Sequence, residues 1–116
     1  MERRSSKDCL AHMQCTPCKG GVSPLKEDEI QPLFAQLTAG WTIVDNHHIE
    51  RVFTFKNFIQ ALEFTIQVGR VAESLGHHPD IYLSWGKVKL DIWTHKINGL
   101  HINDFILAKK IDSISS

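Results

Sequence analysis

A chain of 116 residues, 42% apolar and 22% charged, has the size and balance of one globular domain that buries its own core without staples. Lys+Arg and Asp+Glu each total 13, so no net field draws the chain to nucleic acid or to an anionic membrane. No apolar run approaches the ~20 residues of a membrane span, and no apolar core follows the polar opening Met1-Glu2-Arg3-Arg4-Ser5-Ser6-Lys7-Asp8, so a secretory signal is not expected and the chain reads as a cytoplasmic protein.

Residues 1–22, ending in Gly20-Gly21, read as a flexible N-terminal extension, and 23–116 as the folded domain. Cys9, Cys15 and Cys18 are odd in number and, without an export signal, are not expected to pair. His12, Cys15 and Cys18 offer three metal ligands at short spacing. A zinc clip needs a fourth ligand and a second knuckle, so incidental thiols are the better account. A thioredoxin-like redox role is the least favoured reading, because no βαβ pattern follows. Ser23-Pro24 is expected to open a first helix, with Glu27, Asp28 and Glu29 in its first turn and Ile30, Leu33, Phe34 and Leu37 as its buried stripe. Pro32 in its interior would move the regular helix towards that residue.

Gly40 ends this helix, and 41–44 reads as a strand. Asp45-Asn46-His47-His48 reads as the turn of a hairpin whose second strand alternates Ile49, Arg51, Phe53 and Phe55 against Glu50, Val52 and Thr54. The pair His47-His48 is expected to be a solvated loop.

Residues 57–75 carry two apolar stripes at helical spacing, one through Phe58, Leu62, Thr65, Gly69 and Ala72 and one through Ala61, Phe64, Val68, Val71 and Leu75. Gly76 suits a left-handed C-terminal residue, and Pro79 biases His78 to extended backbone, so the helix stops just before His77-His78. Glu73, four residues before His77, shares its face if the last turn reaches that far. Then 81–85 and 87–93 read as a hairpin turning at Gly86, with Val88, Leu90 and Ile92 on one face and Lys87, Lys89, Asp91 and Trp93 on the other. His95 would join the face of Trp93, which lets His77, His78 and His95 converge at one sheet edge. A last helix is expected from Asn103 or Asp104 through Phe105, Leu107, Ala108, Ile111 and Ile114, with Asp104 its cap.

The order α-β-β-α-β-β-α predicts an α+β domain, a four-stranded antiparallel sheet with the helices packed on one face. The second stripe of the long helix exceeds what one sheet face needs and suits either an oligomer interface or burial between helices.

The set Glu73-x-x-x-His77-His78-Pro79, Trp85, His95, Gly99-Leu100 and Asp104, with Gly40-Trp41 and Phe53-x-Phe55-Lys56-x-Phe58 upstream, resembles the pterin-4a-carbinolamine dehydratases over residues 23–112. Cys15-x-x-Cys18 and Gly99-Leu100-His101-x-Asn103-Asp104-Phe105 resemble the bacterial branch. The resemblance implies dehydration of 4a-hydroxytetrahydrobiopterin to quinonoid dihydropterin, in recycling of the cofactor of aromatic amino-acid hydroxylases. It implies no metal or cofactor, a homodimer or homotetramer, a pterin substrate, and a functional link to such a hydroxylase. By position it implies His77 and His95 as the acid/base pair, His78 as the imidazole that orients the pterin and Glu73 as the supporting carboxylate. Gly76, Trp93, Thr94 and Asp104 would bind or wall in the substrate, with holding the loop that carries His95 as the alternative role of Asp104.

Histidine serves equally as proton donor and acceptor near neutral pH, which suits a reaction that adds one proton and removes another. A three-histidine zinc site is the sharper rival, weakened because adjacent residues in extended backbone point apart. From another class, a non-catalytic pterin-binding module, or a coactivator that stabilises a partner's dimer, would use the long helix's second stripe instead.

Overall fold

The computed structural model describes residues 23–115, and the expected N-terminal extension with Cys9, Cys15 and Cys18 lies outside them. The elements are α1 (Glu27–Phe34), β1 (Thr42–Val44), β2 (His48–Thr54), α2 (Phe58–Leu75), β3 (Asp80–Ser84), β4 (Lys87–Ile92), a 3-10 turn (His95–Ile97) and α3 (Ile102–Ser115). The expected α+β order holds, and the four strands form one antiparallel sheet in the order β1-β2-β4-β3.

Helix α1 begins three residues later than expected. Its cap is Lys26, whose amide donates to the Glu29 carboxylate at 2.8 Å, so an acid of the first turn does the work assigned to Ser23. Pro32 lies inside the helix near its end, where the short element continues only to Phe34. Residues 23–26 instead run beside the segment before α3: the Leu25 amide donates to the Leu100 carbonyl at 2.8 Å. Gly99 has no room for a side chain there, since a Cβ would stand 2.7 Å from that of Pro24.

The β1–β2 hairpin turns through Asp45 and Asn46, both at positive φ, and closes with a bond from the His47 amide to the Val44 carbonyl. Asn and Asp tolerate that left-handed geometry better than other side chains, which explains the turn's location. Trp41 precedes β1 rather than belonging to it. Its buried indole N–H donates to Asp112 Oδ1 at 2.7 Å, and the same carboxylate accepts from the Thr38 amide and the Arg51 guanidinium. In the β3–β4 hairpin Gly86 is needed for close approach: its carbonyl accepts the Phe55 amide, and a Cβ would lie 3.0 Å from the Phe55 carbonyl oxygen.

Ile49, Phe53, Val88, Leu90 and Ile92 bury one face of the sheet, as the alternation requires, against Ala61, Phe64, Val68 and Ala72 of α2. Of the two stripes read on the long helix, Ala61, Phe64 and Val68 form the buried one, joined by Ala72 from the other, while Phe58, Ile59 and Ile66 are exposed. The helix buried nearly all round is α3, from Asn103 to Ala108 and again at Ile111 and Asp112. It packs against both α1 and α2 and is tied by a buried carboxylate near each end, Asp104 and Asp112. It starts at Ile102, earlier than expected, because the ring of His101 takes the capping role: Nδ1 accepts the Asn103 amide at 3.2 Å.

Candidate active site

The end of α2 sets the first half of the site. Gly76 is left-handed (φ 67°), and the Gly76 and His77 amides donate to the carbonyls of Glu73 and Ala72. This pair of hydrogen bonds is the Schellman closure. It satisfies the last carbonyls of the helix and pins the backbone of His77, so that the ring leaves the helix in one direction. The sequence reading of this stop holds.

From that point the ring reaches across the fold to α3. His77 Nε2 meets Asp104 Oδ1 at 2.5 Å, with the His77 side chain 12% exposed and Asp104 fully buried. The other carboxylate oxygen, Oδ2, accepts both the Thr94 hydroxyl and the His101 amide at 2.9 Å. Asp104 thus satisfies the backbone before α3, as a cap would, and also joins the helix-end histidine to the loop that follows β4. A carboxylate behind an imidazole fixes ring orientation and tautomer, as in other acid/base pairs. With Nε2 so occupied, Nδ1 is the atom of His77 left for a substrate.

Thr94 and Asp104, expected to bind substrate, are 3% and 0% exposed, and their oxygens face each other. Both side chains are thus held against other groups of the protein, away from its surface. Glu73 pairs with His78, not with His77: His78 Nε2 and Glu73 Oε1 are 2.8 Å apart, both largely solvent-exposed. The reason is the left-handed Gly76, which turns the chain so that His77 points inward and His78 remains on the Glu73 side.

His95 does not continue β4, which ends at Ile92; it opens the 3-10 turn instead. The bridge between Thr94 and Gly99 closes that turn. His95 still meets Trp93, with ring centroids 4.0 Å apart. Its Nε2 lies 3.8 Å from Asp80 Oδ2, which also accepts the Trp93 indole N–H at 3.2 Å. Asp80 was missed by sequence reasoning. Its signal was its place: it follows His77-His78-Pro79 directly and opens the strand that pairs with β4, so it is bound to face the end of that strand.

Two carboxylates therefore join the His77-His78-Pro79-Asp80 segment to the Trp93-Thr94-His95 segment, Asp104 from below and Asp80 from the side. The expected convergence is realised through these bridges. A shared three-histidine metal site is not what forms: His77, His78 and His95 each face a different acid, and among the described residues the one group of three ligand atoms within 4.8 Å is His48, Glu50 and Asp91.

The pair His47-His48 departs from its expected role as a solvated loop. Both rings are half-buried, and His47 packs at a tilt against Trp93 with centroids 4.3 Å apart, a partner distant in the chain that no local pattern reveals.

The chain matches the family described as Pterin 4 alpha carbinolamine dehydratase over residues 23–114. It is 50% identical over 107 residues to a protein of Alkaliphilus metalliredigens provisionally named a pterin-4-alpha-carbinolamine dehydratase, covering 92% of this chain and 96% of that one. A similarly named protein of Rubrobacter xylanophilus is 50% identical over 105 residues, covering 90% and 97%. Among solved structures, a transcriptional coactivator/pterin dehydratase from Brucella melitensis superposes with a TM-score of 0.75 at 34% identity, over 81% of this chain and 100% of that one.

Proposed function

Because the chain belongs to the pterin-4a-carbinolamine dehydratase family, we propose that it is a hydro-lyase that converts a 4a-hydroxytetrahydropterin to the quinonoid dihydropterin. The reaction breaks the bond from C4a to its hydroxyl oxygen. One proton is delivered to that oxygen, one is taken from the neighbouring ring nitrogen, whose electron pair forms the new double bond to C4a, and water leaves. The protein must therefore hold a proton donor and a proton acceptor at fixed positions around one flat ring.

His77 and His95 are assigned these two tasks. The observation that carries the reading is the buried bridge His77–Asp104–Thr94, which ties the imidazole at the end of α2 to the residue directly before His95. Catalytic groups held by locked partners lose little on reaching the reactive geometry. His95, 58% exposed against Trp93, and His78, 60% exposed with Glu73, are the rings a ligand at this edge meets from outside. His78 orients the pterin, Glu73 holds His78, and Gly76 and Trp93 border the ring. Thr94 and Asp104 act through His77. In this role the product would return to the reductive recycling of the cofactor of aromatic amino-acid hydroxylases.

The assay is dehydration of enzymatically generated 4a-hydroxytetrahydropterin, followed by absorbance of the quinonoid product over the uncatalysed reaction. Acceleration proportional to protein is expected. Its absence with the folded chain removes the dehydratase reading.

A second function rests on α2. Phe58, Ile59 and Ile66 are exposed on a helix whose other side is core. Such a stripe fits a helix face shared between copies of the chain in a dimer or tetramer, and the Brucella neighbour is described as a coactivator as well as a dehydratase. Sedimentation velocity is expected to give a multiple of the 13.2 kDa chain mass, shifted towards monomer by Ile59→Lys with Ile66→Lys. A monomer in the unmodified protein overturns self-association.

A further inference from the structure

The sheet face opposite the helices carries an unbalanced row of charge. In the β2–β4 register Glu50 stands directly across from Asp91, and in the β3–β4 register Asp80 stands across from the same Asp91. Three carboxylates thus lie abreast on three neighbouring strands, where like charges directly opposite one another are destabilising. Asp80 is engaged by Trp93. Lys89 approaches Glu50 and Asp91 at 3.9 and 3.7 Å, beyond hydrogen-bond distance. Asp91 Oδ1, at the centre of the row, is buried and has no hydrogen-bond partner. A buried acceptor without a partner is costly and calls for an explanation.

His48 completes the group. Its Nε2 lies 3.7 Å from Glu50 Oε1, and one ligand atom each from His48, Glu50 and Asp91 fall within 4.8 Å of one another. The hydrogen bonds behind His48 decide which of its nitrogens is bare. Asn98 Oδ1 only accepts, so His47 Nε2, 3.0 Å away, is the donor. In a neutral His47 ring the other nitrogen, Nδ1, then accepts, and its partner at 3.0 Å is His48 Nδ1, which must donate. A neutral His48 with its proton on Nδ1 presents the lone pair of Nε2 to Glu50 and Asp91. A ligating imidazole that donates through its other nitrogen is the usual arrangement behind a bound metal.

We propose that His48 Nε2, Glu50 and Asp91 bind a divalent transition-metal cation on the open face of the sheet, separate from the histidines assigned to pterin chemistry. One imidazole and two carboxylates suit Zn²⁺, Co²⁺ or Mn²⁺, with water completing the coordination. The cation gives Asp91 Oδ1 a partner and offsets the row of acids. Lys89, 39% exposed on a flexible stem, swings outward as the cation replaces its ammonium.

The test is calorimetric titration of Co²⁺ into the full chain carrying Cys9→Ser, Cys15→Ser and Cys18→Ser, so that thiolates contribute nothing. One bound equivalent is expected, with affinity reduced by about 10-fold or more in His48→Asn and in Glu50→Gln, as loss of a ligand should exceed the 10- to 100-fold cost of losing a supporting partner. Lys89→Gln is expected to bind more tightly. Both ligand variants sit on a partly exposed face and are checked for folding by circular dichroism. No uptake at millimolar Co²⁺, or uptake equal in His48→Asn and Glu50→Gln, overturns the site.

Discussion

His95→Ala is expected to lower the turnover of 4a-hydroxytetrahydropterin by about 10²- to 10⁴-fold, the range of a lost acid or base, with little change in thermal stability. Its ring is largely exposed and its nearest acid, Asp80, is 3.8 Å away, so no buried group is orphaned when it goes. His77→Ala is expected to lose turnover to a similar extent and stability as well. That ring is nearly buried, and its removal leaves Asp104 without one of its three partners. The two variants therefore separate chemistry from packing. Stopped-flow absorbance gives the first and thermal melting the second. Wild-type turnover in either variant, with the fold intact, removes that histidine from the acid/base pair.

Asp104→Ala is expected to destabilise the domain by about 3 kcal/mol, since removing one member of a buried pair leaves its partners unsatisfied. Those partners are the imidazole of His77, the hydroxyl of Thr94 and the amide of His101, drawn from three separate segments. At roughly 4–8 °C per kcal/mol for a domain of this size, the melting temperature should fall by about 12–24 °C. Asp104→Asn keeps the shape and one carbonyl acceptor, so it should melt higher than Asp104→Ala while still losing turnover, because an amide does not hold His77 as a carboxylate does. Urea denaturation measures the difference. A loss below about 1 kcal/mol in Asp104→Ala, the value of one ordinary hydrogen bond, would mean that the bridge does not organise the site.

The expectations for His77→Ala and Asp104→Ala depend on a contact between residues 27 positions apart, and this marks the limit of what the chain reveals when read locally. Glu73, four positions before His77, was the nearer carboxylate by sequence and belongs to His78 instead. Asp104 is recognisable as a helix-start residue, and its Oδ2 does serve the backbone there, but nothing in its neighbourhood says that its other oxygen, Oδ1, meets His77 at the end of α2. Asp80 was passed over because an acid at a strand start looks like ordinary solvated polarity. His47 was read as solvated for the same reason, although it packs on Trp93.

The local features were legible because neighbours in the chain determine them. The stop at Gly76 follows from backbone freedom at one residue, and the buried faces of β2 and β4 follow from a period of two. The turn at Asp45-Asn46 follows from side chains that tolerate positive φ. These fix where His77-His78 leaves a helix and where Trp93 leaves a strand. The acids that face His77 and His95 were decided by the tertiary structure. Burial of the first turns of α3 carries Asp104 beneath His77, and strand register sets Glu50, Asp91 and Asp80 abreast. A side chain's partner depends on which distant surface packs over it, and the energy that selects that surface belongs to the whole core.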